Sequence, residues 1–138
     1  MDETEKFSDK ETFVENFKYR TKQFTIRSLK LFQALPDTDE ARIIGKQFLR
    51  AASSTGANYR AACRARSKAE FHAKLSITVE EADESLFWLE IMSETEIMPA
   101  KRLEPLMNEV LEIVKVLSTA KERTHEAIQS FYHLLIQN

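Results

Sequence analysis

Gly45-Lys46-Gln47-Phe48-Leu49-Arg50-Ala51-Ala52-Ser53-Ser54-Thr55-Gly56-Ala57-Asn58-Tyr59-Arg60-Ala61-Ala62-Cys63-Arg64 reads as one helix with three different sides. At about 100° per residue, Ile44, Phe48, Ala51, Thr55, Tyr59 and Ala62 share a face, which is the predicted core face. Beside it runs a line of small residues, Gly45, Ala52, Gly56 and Cys63. Opposite the core, Arg42, Lys46, Arg50, Arg60 and Arg64 fall within about 80° of arc. The chain has 2 glycines, and both lie in this one helix. A glycine inside a helix costs about 1 kcal/mol relative to alanine. Keeping two of them there, among alanines, predicts that another backbone comes very close.

Working outward, the composition suits helices. Of 138 residues, 2 are Gly and 3 are Pro, too few for the turns that a β fold needs every 8–12 positions. Ser8-Asp9-Lys10-Glu11 is a capping box that predicts the start of the first helix. Phe13, Phe17, Phe24, Leu31 and Leu35 mark its buried face, with Val14 and Phe32 beside it, and Pro36 ends it. Asp37 and Glu40 stand in capping-box spacing before the second helix. Ser67-Lys68-Ala69-Glu70 is a further capping box and opens the third. That helix places Phe71, Leu75, Thr78, Val79, Ala82, Leu86 and Leu89 on one side. Ala73, Ile77, Trp88 and Ile91 cluster on the other, among Glu81 and Glu84. A second apolar stripe predicts a contact outside the helix's own bundle. After Met98-Pro99 a fourth helix begins between Ala100 and Pro105. Its period weakens past Lys121, so it either runs almost to the end or bends near Ala120.

The predicted fold is all-α, an up-and-down antiparallel four-helix bundle with helices over 9–35, 39–65, 68–94 and 101–135. Residues 1–8 are expected to be a disordered N-terminal segment, and residues 9–138 one domain. No apolar run approaches the roughly 20 residues that cross a bilayer. The acidic start is not a signal peptide, and one unpaired cysteine fits a reducing compartment. The expected setting is a bacterial cytoplasm, with no membrane partner.

Charge is segregated along the chain. Residues 1–15 carry a net −4, residues 16–74 a net +9 and residues 75–138 a net −7, within a total of −2. The basic stripe Arg42, Lys46, Arg50, Arg60 and Arg64, joined by Lys22 and Arg27 of the first helix, is a candidate surface for RNA or DNA phosphates. The same charges also suit neutralisation by the acidic third helix, within one chain or between copies, or a solvated face. Ile77, Trp88, Ile91, Glu81 and Glu84 are the candidate oligomer interface. Residues for catalysis are lacking. A single Glu122-x-x-His125 falls short of the paired set of a di-metal bundle. His72 and His133 stand alone, and Cys63 reads as a packing residue or, between Arg60 and Arg64, a reactive thiol. No catalytic residue, metal site or cofactor is expected.

Arg50-x-x-x-Ser54-x-x-x-Asn58, followed by Ser67-x-x-Glu70-Phe71 and then Glu81, Glu84 and Trp88-Leu89, resembles the bacterial four-helix-bundle family encoded in intervening sequences of 23S ribosomal RNA genes. The resemblance covers roughly residues 16–120. It implies an up-and-down bundle that assembles as a homopentamer, with no established activity. A related branch, the accessory variability protein of diversity-generating retroelements, implies nucleic acid and a reverse transcriptase as partners. The chain departs from the family pattern at Tyr59-Arg60-Ala61, where an acidic residue and a glycine are usual, and at Thr78, where a small residue is usual. The first departure makes this surface more basic.

Overall fold

The computed structural model describes residues 3–137, with side chains described from Thr12 onward; Met1, Asp2 and Asn138 lie outside the described residues. Four helices follow one another: α1 (Glu3–Gln33), α2 (Asp39–Cys63), α3 (Lys68–Glu94) and α4 (Ala100–Gln137). Each packs on its neighbour in sequence, and α1 meets α4 over a far smaller area; diagonal helices do not pack among the described residues. This is the up-and-down four-helix bundle.

The core holds Phe17, Phe24, Phe48, Leu75, Leu89, Met92, Leu103, Val110, Ile113 and Leu117. On α2 the predicted face is the buried one, with Ile44 half-buried at its edge. Five hydroxyls are buried with these side chains, those of Thr21, Ser28, Thr55, Thr78 and Ser85. Each donates to the carbonyl one turn back, from 2.7 Å for Ser28 to Phe24 to 3.0 Å for Thr21 to Phe17. A hydroxyl satisfied inside its own helix costs little to bury, so serine and threonine serve as small core residues.

Two helix starts differ from the sequence reading. α1 begins at Glu3, so the Ser8–Glu11 capping box lies inside it, and of the segment expected to be disordered residues 3–8 are helical. Nothing in the sequence from Glu3 to Phe7 breaks a helix. At α2 the cap is Thr38, not Asp37: its hydroxyl accepts from the Ala41 amide at 3.2 Å. The α3 capping box forms, with Ser67 accepting from the Glu70 amide at 3.0 Å. Glu70 reaches back to the Arg66 amide at 3.1 Å.

Helix α3 ends in a Schellman turn. The Ile97 amide donates to the Met92 carbonyl at 3.0 Å and the Glu96 amide to Ser93 at 3.1 Å. Glu96 takes the left-handed position, φ 59°, where glycine is usual. α4 starts at Ala100, which places Pro105 in its second turn, and then runs as one helix to Gln137.

Candidate nucleic-acid interface

The close approach predicted from the glycines is made by α1 of the same chain. A Cβ on Gly45 would lie 2.5 Å from Leu35 Cδ1, and one on Gly56 would lie 2.6 Å from Thr25 Oγ1 and 3.2 Å from the Thr21 carbonyl oxygen. Thr25 Oγ1 donates across the contact to the Ala52 carbonyl at 2.9 Å. The small-residue line therefore draws α1 and α2 together.

On the outer side of that contact lies an open groove of about 520 Å³, lined by Glu15, Lys18, Tyr19, Lys22 and Thr25 of α1 and by Ser53, Gly56, Ala57 and Arg60 of α2. Lys22 and Arg60 come together here from separate helices. Lys18, which pairs with Glu15 at 3.2 Å, adds a third cation. Neither Lys22 nor Arg60 has an ion-pair partner among the described residues. Tyr19 stands 66% exposed beside them, and Ser53 supplies a hydroxyl. Three cations against one carboxylate, with an exposed ring and a floor of small residues, can receive a phosphate backbone and a base. The periodicity of α2 alone missed Tyr19, which comes level with Arg60 across the glycine contact; Ser53, two turns before Arg60 on α2, was within reach of that periodicity.

The rest of the basic stripe is divided. Arg42 is engaged by its own helix start, pairing with Asp37 and, at 2.5 Å, with Asp39. Arg50 bridges to α3, pairing with Glu84 and, at 3.1 Å, with Glu81. Arg27 lies 3.9 Å from Glu109 of α4. Arg20 holds the thin α1–α4 seam. Its guanidinium contacts Glu109 at 2.6 Å and Glu112 at 3.6 Å, and the hydrogen bond to Glu109 holds its pKa above the ordinary value. Lys46 and Arg64 are exposed, outside the groove.

The motif residues serve the fold. Asn58 Nδ2 donates to Ser54 Oγ and to the Ser54 carbonyl, both at 2.9 Å, next to the Arg50 bridge. Glu70 caps α3, and Phe71 packs against the core. Of the candidate interface on α3, Glu81 and Glu84 face Arg50, and Ile77 is 39% exposed. Trp88 and Ile91 are half-buried, and Trp88 packs against the core cluster, with Nε1 buried and without a hydrogen-bond partner. Its neighbour Phe87 carries the exposure instead, at 49%, with the two rings edge to face at 5.0 Å.

Cys63 is half-buried, and burial pushes its thiol pKa up, so the arginines nearby in sequence do not activate it. The Tyr59 hydroxyl, one turn back, is buried too, and burial raises its pKa far above the usual value. Both groups stay neutral in the fold, whereas an unfolded chain releases their protons near pH 8.5 and 10. Stability is therefore complete below those values and falls as pH rises past them, by up to about 1.4 kcal/mol per pH unit for the phenol. Tyr59→Phe should flatten the loss above pH 10, read as the urea midpoint against pH. An equal alkaline slope in both proteins would contradict it.

His72, expected to stand alone, lies with its ring 5.5 Å from that of His125. Among the described residues no group of three or more His, Cys, Asp or Glu side chains could hold a metal. No helix among them is long and apolar enough to cross a membrane.

Comparison with known proteins decides the lineage. The sequence profile of the 23S rRNA-intervening sequence protein family matches residues 17–119. The chain belongs to the 23S rRNA-intervening sequence protein family. A solved structure from Bacteroides thetaiotaomicron, described as a protein with unknown function from the S23 ribosomal protein family, is similar to it at 35% identity and a TM-score of 0.71. The similarity covers 75% of this chain and 96% of that one. No functionally curated protein matches. The 23S rRNA-intervening sequence protein profile spans the glycine contact, the Arg50 bridge and most of the groove. It ends at residue 119, before the last 18 described residues of α4.

Proposed function

We propose that this protein is a non-enzymatic, self-assembling scaffold that binds RNA or DNA in the α1–α2 groove. The supporting observation is the meeting of Lys18, Lys22 and Arg60 around an exposed Tyr19, with no acidic partner for two of the three cations among the described residues. Arg42 and Arg50, whose charge is met within the chain, are not part of this surface. The family name, which refers to ribosomal RNA, agrees with an RNA ligand. The working compartment is the cytoplasm, and a nucleic-acid enzyme such as a reverse transcriptase is the protein partner suggested by the retroelement branch. Assembly, a ring of five by family resemblance, uses the outward side of α3 through Ile77 and Phe87.

The Lys22→Glu, Arg60→Glu double variant should bind a structured RNA at least about tenfold more weakly at low salt, and its affinity should depend less steeply on salt, by about two units of log–log slope. Its mass by light scattering should not change. Unchanged RNA affinity would remove the groove from consideration. A loss of assembly with RNA affinity retained favours the second reading, in which the charges serve subunit contact.

A further inference from the structure

Helix α4 is 38 residues long, against 25 for α2 and 27 for α3. The last part of the bundle it passes is the start of α3, where Ala127, Ile128, Phe131 and Tyr132 form a groove of about 370 Å³ with Lys68 and Ala69. From there Leu134, Leu135 and Ile136 run on past the end of α3. The exposures are large: 60% for Phe131, 55% for Tyr132, 58% for Leu135 and 83% for Ile136. At 100° per residue Ile128, Phe131, Tyr132 and Leu135 form one broad apolar side, while Gln129, Ser130, His133 and Gln137 lie opposite. A lone helix end with this pattern lacks a partner.

We propose that this arm is a self-association device, which pairs with the same arm of a second copy of the chain. The charge pattern identifies the occupant. Residues 127–138 contain no Asp, Glu, Lys or Arg, in a protein that is 30% charged as a whole. Contact between identical segments places each charge near its own kind, and an uncharged segment is the part of this chain that escapes that repulsion. A charged protein partner would find nothing to pair with. A membrane surface is disfavoured because helices that lie on lipid carry Lys or Arg on their polar side, and this one carries glutamine, serine and histidine. The groove beside Phe131 gives the aliphatic residues of the second arm a place to enter. The bundle does not need the arm for its own core, since the buried residues of α4 end at Leu117.

The test uses the full chain. With Cys63→Ser and Gln137→Cys, separate samples labelled with donor and acceptor should show energy transfer on mixing. Adding Leu135→Glu should abolish it. Phe131→Glu, Leu135→Glu in the unlabelled protein should halve the mass seen by light scattering while helical circular dichroism persists over the bundle. Lys22→Glu, Arg60→Glu should leave both readouts as they were, which separates this surface from the nucleic-acid groove. Transfer that survives Leu135→Glu, or a mass that does not change, would overturn the proposal. So would cosedimentation of the protein with neutral phosphatidylcholine vesicles that is lost in the Phe131→Glu, Leu135→Glu variant, because the arm would then be a lipid contact.

Discussion

Gly56→Val should cost about 3 kcal/mol, while Gly45→Ala should leave stability close to its starting value. The two glycines lie on the same line of α2, and both face α1, but what they face differs. At Gly56 a β-carbon meets Thr25 Oγ1 at 2.6 Å and the Thr21 carbonyl oxygen at 3.2 Å. That hydroxyl is committed to the Ala52 carbonyl and, at 3.2 Å, to Thr21. The carbonyl belongs to a helix backbone and cannot turn aside. Valine adds two methyl groups to this clash, so α1 must move away and the Thr25 bond must break. At Gly45 the nearest atom is the far end of Leu35, a half-buried side chain at the helix end that can change rotamer. Alanine there also recovers about 1 kcal/mol of helix propensity, which offsets the crowding. For a chain of this size, 3 kcal/mol lowers the melting temperature by about 12 °C. Thermal unfolding followed by circular dichroism reads the difference, and equal melting temperatures for the two variants would show that α1 and α2 are not held at the spacing described.

Trp88→Ala should destabilise the fold by about 3 kcal/mol, and Phe87→Ala by less than about 1. Trp88 packs against the core cluster, so truncation removes the buried part of the indole from between α3 and its neighbours. Phe87 stands largely in solvent and touches the bundle mainly through the Trp88 ring. The pair therefore separates two roles that adjacent residues could share. If Phe87→Ala reduces the assembled mass without altering the melting temperature, α3 meets another subunit through that ring. Urea unfolding and light scattering on both variants decide it, and a Trp88→Ala protein as stable as the parent would place Trp88 outside the core.

Phe87 and Trp88 show where sequence reading runs out: the more exposed ring is that of Phe87, while Trp88 packs against the core cluster. One-sided helices were legible. The periodic apolar residues of α2 and of α4 up to Leu117 give their buried faces directly, because each has a single side to bury. Helix α3 packs extensively on both α2 and α4, so apolar residues surround much of it and its period carries little information. Ser85 and Met92 are fully buried there, and neither stood out from the pattern. The hydroxyls of Thr21 and Ser28 were hidden for another reason: a satisfied side chain behaves as a small apolar one, which its composition does not announce. The candidate site was half legible. The basic stripe was real as a line on one helix, but the pairing of Arg42 with Asp37 and of Arg50 with Glu84 depends on turns and on a second helix. The groove exists because Lys22 and Tyr19 come level with Arg60, a relation between helices that spacing within either one does not contain.

The thin seam between α1 and α4 bears on how such a groove would work. Helix α1 is held firmly along one edge only, by the glycine line, and its far edge rests on Arg20, Glu109 and Glu112. It packs least on the rest of the bundle, so local opening should begin there. A polyanion bridging Lys18 or Lys22 of α1 to Arg60 of α2, as proposed, would bind the docked form and not the opened one. By linkage it would hold α1 closed, at the expense of part of its binding energy. Affinity in the groove and the docking of α1 are thus two readings of a single equilibrium.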